Sequence, residues 1–148
     1  MSDIYNSSFK AFYGQKLLKS ISKFRTKNSD SSSNCTVWKS GLDKDGYPIL
    51  KKTFKLKRYN LRVQRLLYYL ESPLEWLDPK FHVSHLCHNK QCLNLEHLSY
   101  EPAVVNSQRN TCVSEGRCFG HKPFRNCLLQ ASMRTTRNHF EQDERSIK

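Results

Sequence analysis

The stretch Ser84-His85-Leu86-Cys87-His88-Asn89-Lys90-Gln91-Cys92, continued by Asn94, His97 and Asn106, is the part of the chain around which the rest is organised. It sets three ligands at metal spacing, Cys87-x4-Cys92-x4-His97, and leaves His85 over. Structural zinc sites take four Cys or His ligands in a tetrahedron, usually from short-spaced pairs. One compact loop thus supplies three ligands, and the isolated Cys35 can return as the fourth. Downstream, Cys112-x5-Cys118-x2-His121-x5-Cys127 supplies four more. All six cysteines, with His97 and His121, then form two complete Cys3His sites. A closed site leaves no open position for water or substrate, so two Zn2+ ions are expected to organise the fold and leave the chemistry to other groups. Three disulfides, or one zinc with spare thiols, remain the alternatives. The disulfide reading fits poorly with interleaved Cys and His in a chain expected to lack a secretory signal, since its first residues carry basic charges without a continuous apolar core.

His82, His85, His88 and His139 stay outside these sites. A lone histidine is ordinarily a surface or satisfied core residue. His85 differs because it sits two residues before a ligand, where a zinc knot would fix its backbone. An ordinary histidine pKa of about 6.5 suits proton abstraction at neutral pH. Further on, Glu101-Pro102 is expected to open a short helix, with Pro102 in its first turn. Asn106 falls near the middle of that helix, and Arg109 and Asn110 follow one turn later. An asparagine oxygen can ligate Mg2+, a hard cation that keeps most of its waters. Spacing alone also fits an ordinary exposed helix polar residue.

The chain carries 25 Lys and Arg against 13 Asp and Glu, a formal charge of +12, and only 37% hydrophobic residues in 148. That size and oil content predict one small domain whose core needs help from metal or disulfides. The charge points to a polyanion, nucleic acid before an anionic membrane. No stretch is long and apolar enough to span a bilayer.

Along the chain, Phe9, Tyr13, Leu17, Ile21 and Phe24 recur at near-helical spacing within 6–25. A packing helix is the preferred reading over a DNA-backbone arm or a mitochondrial transit segment. Residues 26–34 read as a polar linker, so the organisation expected is 1–34 (helix and linker), 35–127 (zinc-bound domain) and 128–148 (tail). Asp43-Lys44-Asp45-Gly46 is a turn signal between short β-rich pieces at Val37-Trp38 and Tyr47-Pro48-Ile49-Leu50. Lys51, Lys52, Lys55, Lys57 and Arg58 then crowd a stretch with Phe54 and Tyr59, which can follow phosphates into a groove of double-stranded DNA or form a lysine-protected hairpin edge. Asn60 is expected to cap a helix carrying Val63, Leu66, Leu67 and Leu70, closed by Pro73, with Arg62 and Arg65 on its polar side within reach of phosphate. Leu128, Leu129, Met133 and Phe140 could reach across a dimer from the tail. The fold class expected is α+β, built on antiparallel β-ribbons and stabilised by zinc.

Ser84-His85-Leu86-Cys87-His88-Asn89, Cys92, His97-Leu98, Asn106 and Arg109-Asn110-x-Cys112 together resemble the His-Cys box homing endonucleases, within the His-Me finger (ββα-metal) nucleases. The likeness is dense over 82–112 and looser to Cys127. It implies that His85 is the general base, that Asn106 holds one catalytic Mg2+, and that the two Cys3His sets are structural zinc sites. It also implies a homodimer cutting both strands of a DNA site. The family's arginine near the scissile phosphate has no secure counterpart here, Lys52, Lys57, Arg58 and Arg65 being candidates. A zinc-stabilised DNA-binding module that does not cut is the rival reading, and His85 with Asn106, which zinc does not need, favours the nuclease. The compartment expected is the nucleus, or the mitochondrion if residues 1–25 are a transit peptide.

Overall fold

The apolar spacing near the N-terminus does give a helix. In the computed structural model, which describes residues 4–27 and 34–129, α1 spans Ser7–Phe24. The Asn6 side chain accepts the Phe9 N–H at 2.9 Å and so satisfies one of the orphan donors of its first turn. Phe9, Leu17 and Ile21 are buried along one stripe that packs against α2, Val63–Glu71. The second helix contributes Val63, Leu66, Leu67 and Leu70 at the spacing that puts them on one face, and all are buried. The backbone N–H of Ser72 closes α2 onto Tyr68 and Tyr69, one residue before Pro73.

The expected linker begins as structure. Strand β1, Arg25–Lys27, pairs antiparallel with β2, Thr36–Trp38, so Thr26 and Lys27 belong to a ribbon; residues 28–33 lie outside the described residues. The Asp43–Gly46 turn forms: the Asp43 carboxylate accepts the N–H groups of Asp45 and Tyr47 at 2.9 and 3.0 Å, and Gly46 takes φ +88°. Its flanks meet only at an isolated Leu42–Pro48 bridge.

The second ribbon joins β3, Ile49–Phe54, to β4, Lys57–Arg62, through a two-residue turn. Lys55 and Leu56 both have positive φ (+50° and +67°), the twist that suits such a hairpin. Alternation sorts the basic residues. Lys51, Arg58 and Arg62 share the open face with Thr53 and Asn60, while Leu50 and Leu61 turn to the core. Asn60 is therefore not the helix cap the sequence suggested. It pairs with Lys51 inside β4, and the strand runs directly into α2 with Arg62 at the capping position and no side-chain cap. The ladder outcompetes the local capping preference because Leu61 must stay on the core side.

The third ribbon pairs β5, Phe81–His85, with β6, Leu98–Pro102, in the register Ser84↔Ser99 and His85↔Leu98. Helix α3, Ala103–Glu115, follows β6 without a loop, giving a strand–strand–helix unit. Glu101 and Pro102 close β6 against β5, and Pro102 is at the same time the N-cap residue of α3, so the helix opens one residue later than expected. The arrangement is α+β, with three two-stranded antiparallel sheets and three α-helices among the described residues. No helix of the described residues is long and apolar enough to cross a membrane.

The apolar core links Phe9, Leu17 and Ile21 with Leu50, Leu61, Leu66, Leu67 and Tyr69, and it holds the second ribbon and both helices together. Leu66 is completely buried there. Leu66→Ala is expected to destabilise the zinc-loaded protein by about 2–5 kcal/mol, checked by urea unfolding.

Candidate active site and metal centres

The loop between β5 and β6 turns back on itself because Asn94 accepts the Glu96 N–H and starts a short 3-10 turn, Leu95–His97. That turn swings His97 towards Cys92. Cys35 arrives from the other side, where Val37 bridges Cys92 and Leu93 N–H donates to Thr36. The four ligand atoms of Cys35, Cys87, Cys92 and His97 lie within 4.8 Å of one another. Cys35 Sγ is 3.7 Å from Cys87 Sγ, and His97 Nδ1 is 3.7 Å from Cys35 and 3.4 Å from Cys92. A tetrahedral zinc with ordinary bond lengths sets such separations at roughly 3.5–3.8 Å, whereas a disulfide needs sulfurs about 2.05 Å apart. The Cys92 thiol is held below its ordinary range, first by the hydrogen bond from Cys87, while the same bond and burial push Cys87 up.

The second cluster closes after α3. Gly116, at φ +73°, ends the helix in the left-handed conformation that glycine reaches most easily, and its N–H returns to Cys112 and Val113. Cys112, Cys118, His121 and Cys127 again fall within 4.8 Å of one another. Here His121 presents Nε2, at 3.3 Å from Cys112 Sγ and 3.6 Å from Cys127 Sγ. Both clusters fit two Zn2+ ions, as the residue arithmetic required.

Beside them lies a groove lined by Tyr47, Arg62, Gln64, His82, His85 and Asn106, with Ser84, His88 and Lys90 also on its wall. His85 is buried, and its Nε2 sits 3.0 Å from the carbonyl oxygen of Cys92. A carbonyl only accepts, so Nε2 carries the proton and Nδ1 keeps a bare lone pair. Burial first, then the nearby His88, Arg62 and His97 charges, lowers the His85 pKa to about 4 against the opposing bond to Cys92. The ring is therefore neutral throughout the neutral range.

Along α3, Val105, Arg109 and Cys112 form the buried stripe, while Asn106 and Asn110 face the groove one turn apart. Asn106 Oδ1 accepts from Ser84 Oγ at 2.7 Å, and its Nδ2 lies 3.1 Å from His82 Nδ1. Sequence reasoning passed over both partners. Strand alternation could have found them, because residues two apart in β5 share a face.

Of the seven basic residues suggested for DNA contact, Arg62 and Arg65 line the groove. Arg65 is committed elsewhere, donating to the carbonyls of Phe81 at 2.7 Å and Asp78 at 3.0 Å. Arg62 stacks over Tyr47 at 4.2 Å and pairs with Asp43 at 3.2 Å, with its side chain 45% exposed. Lys51, Lys52, Lys55, Lys57 and Arg58 lie on the β3–β4 ribbon or its turn, away from the groove lining. His139 and the tail residues Met133 and Phe140 lie outside the described residues.

With the strand–strand–helix unit, the surplus histidine and both cysteine clusters in place, comparison with known families is specific. A model of the zinc-binding loop region of homing endonuclease matches residues 56–141. The chain belongs to this homing endonuclease family. No curated protein matches it.

For this homing-endonuclease domain, buried His85 and half-buried His88 carry a pH consequence. Burial also lowers His88 to about 4. Each group is easier to protonate unfolded, near an ordinary 6.5, than folded. Their stabilising contribution is complete above about 6.5 and is lost as pH falls towards 4. The melting midpoint of the zinc-loaded protein is expected to drop across that window, and His85→Ala should flatten the slope.

Proposed function

We propose that the protein is a DNA endonuclease in which His85 is the general base and Asn106 the protein ligand of one Mg2+. The observation that carries this reading is the contact of His85 Nε2 with the Cys92 carbonyl, which leaves Nδ1 as the lone-pair nitrogen of a ring that lines the same groove as Asn106.

Asn106 Oδ1 is a hard oxygen with one lone pair left after the Ser84 bond. Among the described residues no carboxylate lines the groove. This donor set fits Mg2+, which keeps its waters and binds through few protein oxygens together with substrate phosphate. When bound, Mg2+ supplies electrostatic stabilisation of charge on the phosphate and on the departing 3′ oxygen.

The chain's own groups do the rest. His85 Nδ1 takes a proton from water as its oxygen attacks phosphorus, and the bond to the 3′ oxygen breaks. Arg62 is the groove's best phosphate clamp: its stacking on Tyr47 fixes the guanidinium plane, and its own side chain stays 45% exposed beside the half-buried Asp43, where an incoming phosphate can compete for it. The open face of the second ribbon extends this positive surface through Lys51 and Arg58. We read the working assembly as a homodimer, because a two-fold protein meets both strands of a symmetric site.

The discriminating experiment offers zinc-loaded protein a library of randomised double-stranded targets with and without Mg2+, and sequences the new ends. Mg2+-dependent ends at a recurring sequence are expected. Retention of a specific sequence with no ends at any Mg2+ level would instead establish the non-cleaving DNA-binding module.

A further inference from the structure

Asn106, Arg109 and Cys112 stand on one helix, so the groove ligand and the first ligand of the second cluster are less than two turns apart. Between them Arg109 is buried, only 1% exposed. Its Nε and Nη2 donate to both oxygens of Glu101 at 2.6 and 2.7 Å. Nη1 donates to Cys127 Sγ at 3.3 Å, and Nη2 also reaches the Arg125 carbonyl at 2.8 Å. Glu101 is fully buried. Burial tends to raise its carboxyl, yet hydrogen bonds from Arg109, Ser84 and Ser99 outweigh this and hold it ionised. Ser84 therefore touches both Glu101 and Asn106.

Stability alone is a weak reason for this arrangement. A buried ion pair gives back in desolvation much of what it gains, and an apolar pair of the same shape often serves as well. What it adds is geometry. Arginine's rigid fork can hold a carboxylate and a thiolate together in fixed directions, which a lysine cannot. The serine at the far end has one hydroxyl proton and two acceptors, the Glu101 carboxylate and the Asn106 oxygen. Where that proton points decides how firmly the Asn106 amide is held, with its second oxygen lone pair turned to the groove.

We infer that Arg109, Glu101 and Ser84 form a positioning relay through which the second Cys3His cluster sets the orientation and ligand strength of Asn106. The relay is read from contacts in this chain; its consequence for cleavage rests on the nuclease reading above. Loss of the second cluster frees Cys127, releases one prong of Arg109, and lets the Glu101 carboxylate draw the Ser84 proton away from Asn106.

The test follows the side-chain amide of Asn106 by NMR in full-length protein, assigned with Asn106→Asp, alongside zinc content and the Mg2+ dependence of cleavage. Ser84→Ala is expected to keep two zinc ions, shift the Asn106 amide, and raise the Mg2+ concentration for half-maximal cleavage by about five- to tenfold, the loss of one hydrogen bond. Ser84→Thr, which retains the hydroxyl, should restore both readouts. Arg109→Lys and Cys118→Ser should move the same amide, although neither substituted side chain bonds Asn106 directly. If Arg109→Lys fails to fold, Ser84→Ala and Cys118→Ser decide. An Asn106 amide unmoved in Ser84→Ala overturns the relay, and one unmoved in Cys118→Ser removes the second cluster from it. An amide that responds in a protein that never cuts DNA keeps the relay and sinks the nuclease reading.

Discussion

His85→Ala is expected to lower single-turnover cleavage by about 10²–10⁴-fold, the range over which a positioned general base acts, while both zinc clusters stay loaded. The effect should fall on the chemical step. His85 is not a ligand of either cluster and lies outside the β3–β4 ribbon to which we assign the DNA contacts. Supplying imidazole in solution should recover part of the rate, because the deleted ring leaves space beside the Cys92 carbonyl. A variant that cuts as fast as wild type would remove His85 from the proton transfer. Wild type should keep its base form down to about pH 5, since the ring is held neutral to about 4. Any fall in rate above that pH then belongs to another group or to loss of fold.

The zinc arithmetic and the surplus histidine were legible because they are local. Cys87, Cys92 and His97 come from one loop, and the second set from the end of one helix and the loop after it. Cys35 could be assigned only by remainder. What brings it in is a backbone bridge between Val37 and Cys92, which no spacing rule announces. Asn60 was misread for a related reason. Its helix-capping preference is a local term, and the long-range pairing with Lys51 overrode it. The same limit hid the inner wiring of the site. Arg109 was noted as part of a motif and Glu101 as a helix-opening acid, and nothing in their spacing announced that they pair with each other and with the Cys127 loop. Arg62 was noticed for its charge, but its place in the groove depends on Tyr47 arriving from a different turn.

The other large effect concerns zinc. Stripping the metal with a strong chelator is expected to abolish the cooperative unfolding transition altogether. Structural zinc contributes on the order of 10 kcal/mol in small metal-folded domains, comparable with the whole net stability of a typical domain, about 5–15 kcal/mol. Here the first cluster ties the residue just before β2, Cys35, to the β5–β6 loop that carries Cys87, Cys92 and, in its 3-10 turn, His97. Cys87→Ser should therefore cost more than Leu66→Ala. Circular dichroism with metal analysis checks both points. A melt that survives complete zinc removal would show that the α1–α2 core suffices without metal, and the frame assigned to the clusters would fail.

The frame matters because of what it does to one ring. Zinc ligation of Cys87 and Cys92 fixes the strand end carrying His85 and the carbonyl that takes its Nε2 proton. Long-range proton–nitrogen correlation spectra of the zinc-loaded protein read that proton directly. The expected result is a neutral His85 ring with its proton on Nε2, Nδ1 bare, and protonation only near pH 4. A proton found on Nδ1, or a ring titrating at an ordinary value of about 6.5, would contradict a zinc-braced histidine poised as the base.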